Sequence, residues 1–375
     1  MENIEKIVNE YINSNPFSGQ IIIAKQNEII ARFESGYKDL KAKINFDRPQ
    51  VFPIASVTKQ FVATAVLRLM EQNKLDVNKH IKDYLPKKHL LWQADMPDWA
   101  NCITLHHLLC HSSGLPNYYF MALANPNDWQ YINRIEPQYI YPAIVSKIKD
   151  LPLDFAPGSK FAYNDINYLL LGLILEEFTP NKDLGLFFKR ELFKPLGLNN
   201  TTWPSLVEEM TYINHIYLNP NLPKRYVVNY QETSQEPILV TTHGACIPSG
   251  GGGHMISTGE DLLKWNYALH SGKILSMSFL ELMHKVHMQT ESSYYLGKLS
   301  YGYGIIIEPL ENKVIYWHPG SYPTGLNVSL SYDPLNQIGI AITSNLSISD
   351  ANSSEKIAHP GRVLFNVAKK IHYIL

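Results

Sequence analysis

The feature that most constrains this chain is a split pattern, with β-type alternation at both ends of the sequence and helical periodicity between them. Gln20-Ile21-Ile22-Ile23-Ala24 and Glu28-Ile29-Ile30-Ala31 are two β-rich runs around Gln26-Asn27, which reads as a hairpin. Strand signals return at 303–307, 314–317, 326–332 and 338–343, an antiparallel meander broken by Glu311-Asn312, Pro323 and Asp333-Pro334. Between about residues 56 and 240 the signals are mostly helical, punctuated by Pro86, Pro116, Pro157, Pro195 and Pro204. Each end also carries a helical apolar stripe: Ile4, Ile7, Val8, Tyr11 and Ile12 at the start, and Val363, Leu364, Val367, Ala368 and Ile371 at the close. These patterns predict an α+β fold: one antiparallel sheet assembled from both ends of the chain, covered by the terminal helices, with a helical region inserted. The expected organisation is a single domain over 1–375, its α/β part at about 1–55 and 243–375 and its helical subdomain at about 56–242. The active site is expected in the groove between them.

A chain of 375 residues, 45% hydrophobic and 18% charged, can bury a substantial core. Its formal net charge of -1, without blocks of like charge, argues against a nucleic-acid partner. The longest apolar run, 168–175, stops at Glu176 and Glu177, well short of the roughly 18 residues a membrane span needs. Glu2, Glu5 and Lys6 open the chain where a signal peptide would be basic and then apolar. The sequence as it stands reads as cytoplasmic, or as periplasmic or secreted if an export segment preceded it. Cys102, Cys110 and Cys246 do not form a disulfide framework.

Chemistry-bearing residues begin with Ser56-Val57-Thr58-Lys59. On a helix, residues three apart share a face, so the Lys59 amine reaches the Ser56 hydroxyl. A helix start adds unpaired N–H groups and a positive dipole end, both suited to a developing oxyanion. Serine needs a neighbouring base, and lysine serves as one only when its pKa falls from about 10.4. Ser146-x-x-Lys149 and Ser353-x-x-Lys356 share the spacing but lie in polar stretches that read as solvated surface. A second cluster, Pro157-Gly158-Ser159-Lys160-Phe161-Ala162-Tyr163-Asn164-Asp165, brings polar groups to the start of an apolar helix, where Asn164 or Asp165 also suits an N-cap.

Ser56-x-x-Lys59, Tyr163-Asn164-Asp165 and His318-Pro319-Gly320 follow the order of three motifs of the penicillin-recognising serine hydrolases: S-x-x-K, Y-x-N, and K-T-G or H-x-G. The whole chain resembles the class C β-lactamase branch, with further support from the 103–116 stretch, Pro195-Leu196-Gly197-Leu198, the glycine run 250–253 with Ser257-Thr258, and Tyr301-Gly302-Tyr303-Gly304. The resemblance implies a β-lactamase/transpeptidase-like fold. It also implies a serine hydrolase acting through an acyl-enzyme on small ester, amide or peptide substrates, without metal or other cofactor. Ser56 would be the nucleophile, Lys59 its proton partner and Tyr163 a second proton relay. The His318 strand would wall the cleft, with Gly320 in it, and the N–H groups of Ser56 and Ser321 would form the oxyanion hole. Alternatives carried by the same resemblance are a true β-lactamase or D,D-carboxypeptidase, and an acyltransferase or catalytically silent binding protein.

Departures from the family pattern sharpen the expectation. Asp165 stands where the family usually has Asn, replacing an amide donor with an acceptor. Pro319 removes both a hydroxyl and an N–H beside His318. Poor β-lactam hydrolysis is therefore expected.

His106, His107, Cys110 and His111 have metal-ligand spacing but are expected to be structural. The four glycines 250–253 lack the following Lys-Ser or Lys-Thr of a phosphate loop and read as sites of close backbone approach. His243 and His254 read as structural. Tyr118, Tyr119, Phe120, Trp129, Tyr131, Tyr139 and Tyr141 would either line an acyl pocket or pack the helical region.

Overall fold

The structure, a computed structural model, describes residues 2–93, 95–118, 135–205, 222–229, 237–240, 250–292, 297–322, 325–349 and 360–375. The chain opens with helix α1 (Glu2–Ser14), whose Ile4 and Val8 are buried. Strands β1 (Gly19–Lys25) and β2 (Glu28–Ser35) follow, joined by Gln26 and Asn27 at φ +50° and +74°. Two positive φ values make the tight turn whose twist matches a hairpin. Strand β3 (Val51–Pro53) leads into helix α2 (Thr58–Glu71). The helical stretch then runs through α3 (Ile81–Tyr84), α4 (Leu105–Leu109), α5 (Ile140–Ser146), α6 (Asp165–Glu176) and α7 (Leu184–Phe188).

Short strands β4 (Tyr226–Asn229) and β5 (Ile238–Leu239) interrupt the segment read as helical. Beyond them come β6 (Ile256–Thr258), α8 (Gly259–His270) and α9 (Met277–His284). The chain then forms β7 (Met288–Ser292), β8 (Gly297–Tyr301), β9 (Ile306–Leu310), β10 (Lys313–Ser321), β11 (Asn327–Asp333), β12 (Ile338–Ser344) and β13 (Leu346–Ser349), and closes with α10 (Pro360–Ile374).

Eight strands form one antiparallel sheet in the order β2-β1-β12-β11-β10-β9-β8-β7, so β1 from the first end lies beside β12 from the other. The period-2 pattern sorts its two faces. Ile21, Ile23, Ile340 and Ile342 face α1 and α10 with Leu364, Phe365, Val367 and Ile371. Ile22, Ala24, Val328, Leu330 and Ala341 face the core shared with α2, α6 and α8. Each fully buried Ile or Leu contributes about 1.5–3 kcal/mol relative to exposure, so a one-residue slip in register would forfeit a whole face.

The sequence reading missed β7 and β8, because Gln289, Thr290, Glu291, Lys298 and Ser300 give the edge strand β7 and its neighbour β8 no apolar alternation. It also began the next strand too early: Gly304 sits at φ +67° and β9 starts at Ile306. Pairing of β3 with β6 brings the chain entering α2 against the segment leaving the glycine run.

Candidate active site

Ser56 lies in a 3-10 turn, Ala55–Val57, that runs directly into α2. The Ile54 amide donates to the Met255 carbonyl at 2.9 Å, tying this turn to the glycine-rich segment. Ala55 sits at φ +45°, left-handed backbone that costs a residue with a Cβ about 1 kcal/mol or more. On the other side β10 packs backbone against backbone, since a Cβ at Gly320 would fall 2.1 Å from the Ile54 carbonyl oxygen. Glycine at 320 is thus a steric requirement, and it brings Ser321 beside the turn. The Ser321 hydroxyl donates to Asn327 Oδ1 at 2.6 Å.

One helical turn beyond Ser56, Lys59 is completely buried. Its Nζ has three oxygen neighbours: Ser56 Oγ at 2.9 Å, Asp165 Oδ1 at 2.5 Å and the Gly252 carbonyl at 2.5 Å. The rings of Tyr163 and Tyr168 lie 4.8 and 5.6 Å from it. Burial pushes the amine below the ordinary lysine range, and the Asp165 carboxylate opposes that shift without cancelling it. A neutral amine has two hydrogens and one lone pair. The Asp165 and Gly252 oxygens accept from Lys59, so on loss of its third proton the amine would keep its hydrogens on them and turn its lone pair to the Ser56 hydroxyl.

The start of α6 explains how Asp165 is free for this contact. Asn164 is the cap: its Oδ1 accepts from the Ile166 amide at 3.0 Å and its Nδ2 donates to the Leu115 carbonyl at 2.7 Å. Asp165, first residue of the helix, turns to Lys59. Tyr163 packs against His111 with ring centroids 4.3 Å apart and planes tilted by 38°, and lies 6.2 Å from the His318 ring. His111 itself is buried at φ +56°, its Nδ1 accepting from the Asn164 amide at 3.2 Å and facing Asn167 Nδ2 at 3.1 Å. His318 is fully buried in β10. Its Nδ1 faces the Pro319 carbonyl at 2.7 Å and must carry the hydrogen, so Nε2 accepts from the Tyr301 hydroxyl at 2.9 Å.

Ser56, Lys59, Tyr163 and Asp165 therefore meet around one ammonium-sized space, with Gly320 and Ser321 against the Ser56 turn. Two neighbours escaped the sequence reading. The Gly252 carbonyl is a backbone atom, for which the sequence held only the glycine run; Gly251 shows why that run is needed, as its Cβ would fall 2.1 Å from the Tyr168 carbonyl. His111 stood in the Cys110-His111-Ser112-Ser113-Gly114 stretch, which was weighed as metal ligands and read as structural, without its contact to Tyr163.

The residues with metal-ligand spacing have hydrogen-bond partners of their own, and Cys110 Sγ also lies 3.8 Å from His106 Nε2. His106 Nδ1 bonds the Tyr303 hydroxyl at 2.7 Å, His107 Nδ1 accepts from the Thr104 amide at 3.1 Å, and Cys110 donates to the His106 carbonyl at 3.1 Å. Among the described residues no three His, Cys, Asp or Glu side chains are grouped to share an ion. Ser146 donates to the Ala143 carbonyl at 2.7 Å, and His254 bonds the Pro204 carbonyl. Tyr118 is buried in the main core and Tyr139 is exposed. Tyr119, Phe120, Trp129, Tyr131, His243, Cys246, Ser353 and Lys356 lie outside the described residues. No helix among the described residues is long and apolar enough to cross a membrane.

A family model described as Beta-lactamase matches residues 8–359. The chain is 27% identical over 216 residues to the N-acetylmuramyl-L-alanine amidase of Bacillus subtilis (strain 168), a match covering 55% of this chain and 47% of that protein. It is also 27% identical over 268 residues to esterase EstB of Burkholderia gladioli, covering 65% of this chain and 63% of the esterase. The chain spans about half the length of the first of these relatives. In structure it is similar to the D-amino acid amidase of Ochrobactrum anthropi SV3, with a TM-score of 0.75 at 20% identity over 99% of this chain and 97% of the amidase. That likeness bears out the antiparallel sheet with covering helices.

Proposed function

Because this chain belongs to the Beta-lactamase family, we propose that it is a serine hydrolase acting through an acyl-enzyme on small ester or amide substrates, with Ser56 as nucleophile. The observation that carries this reading is the environment of the Lys59 amine, whose two acceptor-only neighbours leave its lone pair to the Ser56 hydroxyl. In the first step the Ser56 proton passes to Lys59 as Oγ bonds the substrate carbonyl carbon. The carbonyl oxygen takes the electron pair and is held by the N–H groups of Ser56 and Ser321, donors that matter by about 100- to 1,000-fold in comparable sites. The bond to the leaving group then breaks, and that group takes a proton relayed by Tyr163. Water repeats the sequence on the acyl-enzyme, releasing the acid and restoring the Ser56 hydroxyl.

Substrate preference follows from two residues. An ionised Asp165 accepts but does not donate, so a substrate amide carbonyl gains no hydrogen bond from it. Pro319 offers neither hydroxyl nor N–H to a substrate carboxylate. Both favour simple esters and amides over penicillins, and the names of the esterase and amidase relatives agree with that preference.

The test is intact-protein mass spectrometry after a fluorophosphonate, a short-chain p-nitrophenyl ester or a penicillin, on the native protein and Ser56→Ala. The expected result is one adduct from the first two probes on the native protein alone. Undiminished labelling of Ser56→Ala would overturn the assignment, and a lasting penicillin adduct would move it to a penicillin-binding enzyme.

A further inference from the structure

A cavity of about 1030 Å³ lies among α5, α6, α7 and the 198–205 segment, and Ser56, Lys59, Tyr163 and the β10 strand are not part of its lining. Its walls include Leu169, Leu173, Leu184, Phe193 and Trp203. Leu90 and Leu186, also in the lining, are 58% and 49% exposed, an apolar rim. Helix α6 also presents Glu176 to the cavity, a half-buried side chain whose carboxyl makes no hydrogen bond or ion pair among the described residues. Burial pushes Glu176 up to about 7, with Lys182, Glu177, His254 and Asp183 as the surrounding charges. Lys182 is already paired with Glu177 at 2.5 Å. The lining also carries Glu177, Asp183, Lys182, Lys189 and Lys194; Glu177 is paired with Lys182 and Asp183 accepts from the Leu186 amide, which leaves Glu176 as the lining carboxyl without a partner among the described residues. That carboxyl beside the apolar walls is complementary to a molecule that brings apolar bulk and a cationic donor together.

Two walls of this cavity are also the two structures that hold Lys59. Helix α6 carries Asp165 at its first position and Gly172 and Glu176 in the cavity lining. Gly250 and Gly251 form another part of the lining, and the next residue, Gly252, gives its carbonyl to Lys59. The walls touch through backbone, since a Cβ at Gly172 would lie 3.2 Å from the Gly251 nitrogen. Interfaces this close transmit small displacements, having no flexible side chain to absorb them.

We propose that this cavity is a second ligand site, for an apolar primary amine whose ammonium pairs with Glu176, and that its occupancy acts on Lys59 through α6 and the glycine segment. The binding half stands apart from the hydrolase reading; only the coupling half rests on it.

Octylamine, octanol and octanoate serve as probes, with binding read by calorimetry and by tryptophan fluorescence. Octylamine should bind one per chain and at least about tenfold more tightly than either analogue, the difference a charge-assisted contact supplies. Glu176→Gln should weaken octylamine about tenfold. Trp203→Phe should remove most of the fluorescence response while calorimetric binding persists, which locates the ligand even if the glutamate variant folds poorly. Binding should also survive prior phosphonylation of Ser56, and its loss there would put the amine in the catalytic cleft. In the native protein, saturating octylamine should change the rate of Ser56 labelling at least about twofold, and an unchanged rate would overturn the coupling. Equal affinity for all three probes, preference for octanoate, or no binding would overturn the amine site.

Discussion

Two of the buried ion clusters among the described residues, one between sheet and terminal helix and one in the cleft, are finished differently. On β9, both carboxylate oxygens of Glu308 are taken by cations: Arg362 at 2.8 and 3.1 Å and Lys369 at 2.6 Å. The Arg362 guanidinium lies 5.2 and 5.3 Å from the rings of Trp317 and Phe365. In the cleft the central charge is Lys59, which meets one carboxylate, one carbonyl and one hydroxyl. The first cluster has no neutral O–H to which a proton could move, so its charges are fixed. The second keeps one position for a group that can lose a proton. Burial and ion pairing are common to both; under the proposed hydrolase reading, the hydroxyl held against the Lys59 amine is what separates a reactive pair from a fastening one.

Removing the central charge of each cluster should break different properties. Lys59→Met should slow fluorophosphonate labelling about 100- to 10,000-fold, the range a positioned general base supplies. Its melting temperature should fall less than that of Glu308→Gln, because relief of the desolvated amine offsets part of the loss at Asp165, which is 29% exposed, and at the Gly252 carbonyl. A large fall in melting temperature with a normal labelling rate would reverse the comparison. Glu308→Gln should do the opposite, lowering unfolding free energy in urea by about 3 kcal/mol by leaving Arg362 and Lys369 without their anion. Its labelling rate per folded molecule should stay within about twofold of native.

Acid titration sharpens the Glu308 side. Burial opposes ionisation there, but the contacts to Arg362 and Lys369 win and hold the carboxyl below its ordinary range. A depressed carboxylate contributes stability that is present above its unfolded pKa and lost as pH falls through the folded one. The native protein should therefore lose stability on acidification below about pH 4.5 more steeply than Glu308→Gln, a difference visible in melts across that range.

The smallest expected effect is at Asp165. Removing its carboxylate leaves burial to push the Lys59 amine further down. In Asp165→Asn the neutral amine then persists to lower pH, and the acid limb of kcat/KM for a p-nitrophenyl ester should move to lower pH. A limb that stays put or moves up would mean that another group than Lys59 controls it.

How far the sequence carried the reading also divides by region. The sheet was legible because its two faces are buried in alternation; Ile21-Ile22-Ile23 declares a two-sided strand by itself. The edge strand β7 and β8 beside it were not legible, since solvent removes the pressure for alternation and leaves Gln289, Glu291 and Lys298 looking like loop. In the cleft, side chains with chemistry stood out by spacing, as with Ser56 and Lys59. Contacts made by backbone atoms did not, because the Gly252 carbonyl leaves no trace beyond a run of glycines. His111 was visible as a residue but not as the ring against Tyr163, for a ring contact across 52 positions has no local pattern.

The seam where Gly320 meets Ile54 has a consequence for remodelling this protein. That end of the cleft is set by main chain meeting main chain, with Ala55 held at a positive φ beside it. No choice of side-chain length enters its width, so a combinatorial library spread over Ile54, Ala55 and Gly320 would return mostly unfolded clones. Diversity aimed at new acyl groups belongs on the opposite bank, where side chains rather than peptide planes form the boundary.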